Sequence, residues 1–217
     1  MTMHRTSWLV VAFAIASLNA LASASTAAVG PPQSIDAAVL AYQNQQYASA
    51  LKLFETAAKN GSREAQHTLG YMYREGLGAE PNMAKAMAWY RKAAEQGHAP
   101  AQYNLALMYT QGEGAKPDLA TARKWFRRAA DHGSVEAQVK LAELAAFEGD
   151  FEEAFRWFSK AADQDDADAA FNVGSLYYLG RGVAKDEVKA AEYYRKAARL
   201  GMREARDVLK SVGQDAD

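Results

Sequence analysis

Apolar and small residues recur along this chain at helical spacing, and the spacing itself repeats. Ala65, Leu69 and Tyr73 stand four apart, on one face of a predicted helix. The same stretch, Ala65 to Tyr73, returns as Ala101 to Tyr109. A second pattern follows each first one. Ala86, Trp89, Tyr90, Ala93 and Ala94 fall at i, i+3, i+4, i+7 and i+8, the stripe of a half-buried helix. Together they predict a helix–turn–helix unit.

The unit is tandem. Its Ala-Ala pair recurs as Ala57-Ala58, Ala93-Ala94, Ala129-Ala130, Ala161-Ala162 and Ala197-Ala198, at steps of 36, 36, 32 and 36. Ala65, Ala101, Ala137 and Ala169 mark the same change from 36 to 32. Five units result. One helix pair cannot bury both of its apolar faces, so the units must stack. The expectation is an all-α solenoid over residues 34–213, with a tail at 214–217.

Small residues predict how the pairs pack. Gly70, Ala106, Ala142 and Gly174 share one position of the first helix; Ala50, Ala86, Ala122, Ala154 and Ala190 share one position of the second. These are expected to face each other and bring the axes close. Trp89-Tyr90, Trp125-Phe126, Trp157-Phe158 and Tyr193-Tyr194 are expected to fill the space between units. Gly61, Gly97, Gly133 and Gly201 are expected to close the second helices.

The loops inside the units come in two sizes. Gly76-Leu77-Gly78, Gly112-Glu113-Gly114 and Gly180-Arg181-Gly182 lie in long ones, whereas the fourth unit, around Phe147 to Phe151, lacks four residues. The first unit, through Gln43 to Tyr47, is also short. After the fifth unit, Ala205, Val208, Leu209 and Val212 form a stripe backed by charged Arg203, Glu204, Arg206, Asp207 and Lys210. This is the polar-faced capping helix that ends a solenoid.

Composition narrows the class. Of 217 residues 49% are hydrophobic and 24% charged, which suits a folded chain. Net charge is -1, so no basic excess points to nucleic acid. There is no cysteine, hence no disulfide, thiolate metal site or lipid-bearing cysteine. Arg5, the apolar run from Trp8 and the small residues Ala20 to Ala24 read as an export signal over 1–24, cut after Ala22 or Ala24. Ser17 and Asn19 interrupt that run too early for a membrane span, and no span is expected after cleavage. Gly30-Pro31-Pro32 marks a linker over 25–33.

The stretches Ala101-Gln102-Tyr103-Asn104-Leu105-Ala106-Leu107-Met108-Tyr109 and Met87 to Gly97, with the Gly-x-Gly loops between, resemble the Sel-one-like repeat family of the tetratricopeptide superfamily. The resemblance spans Ile35 to Val212. Units two, three and five follow it; units one and four resemble ordinary tetratricopeptide units. It implies a right-handed α/α superhelix whose first helices line a concave side. It also implies scaffolds, adaptors and periplasmic regulators rather than enzymes.

Catalytic and cofactor motifs fare poorly. The Gly-x-Gly triplets follow helices rather than strands, so they read as turns and not as dinucleotide loops. Ser49-Ala50-Leu51-Lys52 matches S-x-x-K, but the S-D-N and K-T-G partners are absent. His98 and His132 lie in inter-unit turns and read as exposed turn residues, with no metal-ligand spacing. No cofactor or metal is expected. The remaining candidate is a peptide-binding groove on the first helices: His67, Tyr71 and Arg74; Tyr103, Leu107 and Gln111; Val139, Glu143 and Phe147; Phe171, Ser175 and Tyr178. Aromatic residues with a few charges suit an extended peptide or a partner helix. Tyr103, Val139 and Phe171 are equally read as packing between first helices, while Tyr71, Arg74, Glu143 and Tyr178 are read as exposed. The leading expectation is an exported, periplasmic scaffold or regulator binding a protein partner. An envelope or polysaccharide-assembly scaffold that binds glycan is a second reading, and an enzyme acting on cell wall or β-lactam a third.

Overall fold

A computed structural model describes residues 35–211. The expected export signal, the linker, Val212 of the capping stripe and the tail lie outside the described residues. Among the described residues there are eleven helices and no strand. They are α1 (Ile35–Gln43), α2 (Tyr47–Lys59), α3 (Arg63–Glu75), α4 (Met83–Glu95), α5 (Ala99–Gln111), α6 (Leu119–Asp131), α7 (Val135–Glu148), α8 (Phe151–Ala162), α9 (Ala167–Leu179), α10 (Glu187–Arg199) and α11 (Arg203–Ser211). The chain is an all-α repeat solenoid: α1/α2 to α9/α10 are the five pairs of the sequence, and α11 is the cap. They form two compact bodies divided after Leu119. In the first, α1 packs on α2, α2 on α3, α3 on α4 and α4 on α5; in the second, α7 packs on α8, α8 on α9, α9 on α10 and α10 on α11.

The first helices α3, α5, α7 and α9 each begin on a capping side chain that accepts from the backbone N–H three residues on, satisfying a donor the helix itself cannot. Ser62 accepts from Ala65 at 3.1 Å, Ser134 from Ala137 at 3.2 Å and Asp166 from Ala169 at 2.7 Å. In the third repeat His98 does this with Nδ1, at 3.3 Å from the Ala101 nitrogen. The expectation of an exposed turn residue is therefore corrected for His98: it is half-buried and caps the start of α5.

A buried glutamine ties successive helices. Gln66 donates to the Ala58 carbonyl at 3.1 Å, Gln102 to Ala94 at 2.9 Å and Gln138 to Ala130 at 3.1 Å. These carbonyls belong to the last turn of the preceding second helix, where the chain's own N–H groups run out. The fifth repeat has Ala170 at this position, and in the cap Arg206 donates to Ala198 at 3.2 Å.

The packing differs from the small-against-small expectation at Gly70. There the Tyr90 ring lies nearest the bare Cα: a Cβ on Gly70 would stand 2.6 Å from Tyr90 Cδ1. Tyr90 thus fills space inside its own helix pair. At Gly174 both descriptions hold, since a Cβ would stand 3.0 Å from the Tyr194 ring and 3.1 Å from the Ala190 carbonyl oxygen.

The long loops reach back onto the preceding repeat. The second glycine of Gly112-Glu113-Gly114 has φ +76, and a Cβ there would stand 2.6 Å from the carbonyl oxygen of Met83, the first residue of α4. Gly78 sits in the same way on Tyr47, first residue of α2, and Gly182 on Phe151, first residue of α8. Only glycine combines a left-handed backbone with so close an approach. The loops close through backbone N–H groups: Asn82 donates to Tyr73 at 2.7 Å, Asp118 to Tyr109 at 2.9 Å and Asp186 to Tyr177 at 3.0 Å. The fourth repeat has only the tight turn at Gly149-Asp150, and α7 runs on to Glu148.

Candidate docking surfaces

In the first body, three expected groove residues stand on α3. His67 is buried, 6% exposed, which corrects its expected place on an open face. Its Nε2 lies 3.0 Å from Nδ2 of Asn104 on α5, and its ring lies tilted against His98 at 4.9 Å and Tyr90 at 5.5 Å. Burial, then the adjacent His98, pushes the His67 imidazole down to about 3. Burial likewise brings His98 down to about 4, opposed by Glu64 and assisted by Arg63. Both rings are therefore neutral near pH 7, which suits His67 as acceptor from Asn104 and His98 as acceptor from Ala101.

Tyr71 and Arg74 are half-buried rather than fully open. Arg74 makes a fork to Glu113 of the next repeat's long loop, with Nε 3.0 Å and Nη2 3.3 Å from the two carboxylate oxygens. On α5, Tyr103 and Leu107 are half-buried and Gln111 is exposed. The hydroxyl of Tyr90 is buried against this side of α3 without a hydrogen-bond partner.

In the second body the expected residues divide. Val139, Phe171 and Ser175 are half-buried. Phe171 meets the Tyr194 ring at 5.2 Å, and Ser175 donates to the Phe171 carbonyl at 3.0 Å while accepting from the Tyr194 hydroxyl at 3.2 Å. Phe171 and Ser175 thus serve packing within the fifth repeat. Glu143 is exposed beside Lys140, at 2.9 Å. Phe147 is 92% exposed and Tyr178 47% exposed. Leu179, 53% exposed and 32 residues after Phe147, adds a large apolar side chain at the same repeat position. Counting along helix faces misses Leu179, although its spacing from Phe147 is a signal in the sequence.

Repeated helix pairs, a polar capping helix and apolar side chains standing free at first-helix ends define a helical scaffold. The chain belongs to the Sel1 repeat family: the Sel1 repeat model matches residues 41–62, 63–98, 99–134, 135–166 and 167–202. A Sel1 repeat protein from Oxalobacter formigenes is similar, with 33% identity and a TM-score of 0.72 over 82% of this chain and 75% of that one. The protein c5321, a protective antigen present in uropathogenic Escherichia coli strains and displaying the same fold, is similar at 36% identity and a TM-score of 0.67. That match covers 79% of this chain and 38% of the antigen. An immunity protein from Pseudomonas aeruginosa, 24% identical with a TM-score of 0.50 over 84% of this chain and 72% of that one, shares the fold. No curated protein matches the chain. Sel1 repeat proteins generally mediate protein–protein interaction and are generally non-enzymatic. Among the described residues no helix is long and apolar enough to cross a membrane.

Proposed function

We propose that this chain is an exported, periplasmic docking module that receives a protein or peptide partner on its first helices. The observation that carries the reading is the set of large apolar side chains left in water at the ends of α7 and α9: Phe147, Tyr178 and Leu179. Burying such side chains in a partner is worth about 1.5–3 kcal/mol each. The family's general role in protein interaction supports the same reading. Export rests on the charged head, apolar run and small residues of positions 1–24.

The test is recovery of partners from periplasmic extract on immobilised wild type and on a Tyr71→Ala/Tyr178→Ala variant. The wild type captures a partner that the variant loses; equal recovery by both sinks the assignment of this face. Mass spectrometry of the periplasmic protein checks export, with an expected first residue of Ser23 or Ser25. A chain that retains Met1 in the cytoplasm overturns it. Binding to purified glycan in place of peptide would move the reading to envelope assembly.

A further inference from the structure

The loops of this protein cover a site that one repeat leaves open. In three repeats the second glycine of a Gly-x-Gly turn sits on the first carbonyl of the preceding second helix, on Tyr47, Met83 and Phe151. Leu119 holds the same position at the start of α6, 36 residues after Met83 and 32 before Phe151. The loop that would reach it belongs to the fourth repeat, which has the tight turn in its place. Leu119 is 68% exposed. One turn further along α6, Arg123 forks onto Glu148 at the end of α7, with Nη1 3.0 Å from one carboxylate oxygen. Phe147, next to Glu148, stands free as well.

We propose that the exposed first turn of α6 is a docking site for a tight turn of a partner polypeptide, with glycine at its left-handed position. The partner's turn takes the place that Gly78, Gly114 and Gly182 take at the equivalent helices. The occupant follows from those three cases. The helix's first carbonyl meets the turn at a distance that excludes any Cβ, so a bulkier residue cannot seat there. Leu119, 68% exposed, supplies the apolar area that the short turn leaves uncovered. The proposal rests on the protein-docking reading but not on the first-helix groove.

The test uses the uniformly 15N-labelled mature chain and a cyclised peptide copying its own residues 109–118, alone and with Gly114→Ala. The native-sequence peptide is expected to give saturable amide shifts at Ala120, Thr121 and Arg123, and the alanine peptide to bind at least tenfold more weakly. Leu119→Asp, a change on the surface, abolishes the shifts while leaving the rest of the spectrum in place. Replacing the turn at 148–150 with the third repeat's loop, 112–118, covers the site from within and has the same effect. Equal binding of the two peptides, or shifts confined to other helices, overturns the proposal. A partner lost by the Tyr71→Ala/Tyr178→Ala variant, with no peptide shifts on α6, keeps the docking function and removes this site. Peptide shifts on α6 with no partner captured through the first helices keep this site and remove the groove.

Discussion

The ring of Tyr90 rests on the bare Cα of Gly70, so closely that a Cβ there would stand 2.6 Å from Cδ1 and 2.7 Å from Cε1. This contact joins α3 to α4, and a ring held between packed helices has little room to turn aside. Gly70→Ala is therefore expected to destabilise. Overpacking costs about 1–3 kcal/mol, and the gain in helix propensity returns up to about 1 kcal/mol. Gly174→Ala, whose Cβ would stand 3.0 Å from Tyr194, is expected to cost less. Urea midpoints of the two variants decide: a Gly70→Ala protein as stable as wild type contradicts the packing.

The same tyrosine carries a buried hydroxyl with no hydrogen-bond partner. At the equivalent place in the fifth repeat the Tyr194 hydroxyl finds Ser175 at 3.2 Å; in the second repeat Tyr71 stands where Ser175 would. The third and fourth repeats carry Phe126 and Phe158 at this position. Tyr90→Phe removes a desolvated donor and nothing that bonds to it, so stability is expected to be unchanged or to rise by about 1 kcal/mol. Thermal unfolding of the variant measures it. A fall of more than about 1 kcal/mol would show that the hydroxyl has a partner after all.

The repeat is legible in the sequence because its alanine pairs and glycine turns must recur wherever helices pack closely and loops turn sharply. Five units, the short fourth loop and the capping helix follow from spacing alone. Side-chain partners across repeats do not. His67 counts onto an open helix face, yet Asn104 on α5 and His98 at the next cap enclose it. Arg74 counts as exposed, yet Glu113 reaches it from a loop 39 residues on. Glu143 and Tyr178 are exposed, with Lys140 of the same helix beside the one and Lys185 of the following loop over the ring of the other. The capping role of His98 is hidden by residue type, since Ser, Thr, Asp and Asn dominate caps, although the shared position with Ser62, Ser134 and Asp166 marks it.

The glutamine ties make a separable prediction. Gln138 donates to Ala130 at 3.1 Å and accepts from Gln164 at 2.9 Å, while itself buried. The Ala130 carbonyl also accepts from Gly133 at 3.1 Å, so losing Gln138 does not leave it bare. Gln138→Ala is expected to cost about 1–2 kcal/mol, from one net hydrogen bond and some lost packing. Arg206→Ala, which removes the corresponding tie at the cap, is expected to speed amide hydrogen exchange in α11 and leave α7 and α8 unchanged. Exchange that rises equally in all three helices would deny the cap its local tie.

The His67–His98 pair makes stability depend on pH, and the sign can be worked out. Burial lowers His67 to about 3 and His98 to about 4 in the folded chain, against about 6.5 when unfolded. Above pH 6.5 neither state binds the protons and the pair contributes nothing. As pH falls below 6.5 the unfolded chain takes up protons that the folded chain refuses. Folding is then opposed by up to about 1.4 kcal/mol per pH unit for each ring, until the folded values near 4 and 3 are reached. Protonated His67 would turn an N–H toward the Asn104 amide nitrogen, and protonated His98 would lose the lone pair that caps α5. A His67→Gln/His98→Ser variant keeps a partner for Asn104 and a cap of the kind used at Ser62 and Ser134. Its stability should fall less than that of wild type between pH 7 and pH 5, measured by urea midpoints at each pH. Parallel curves for the two proteins would mean that these rings titrate alike in the folded and unfolded chain, and that the acid sensitivity lies with the carboxylates instead.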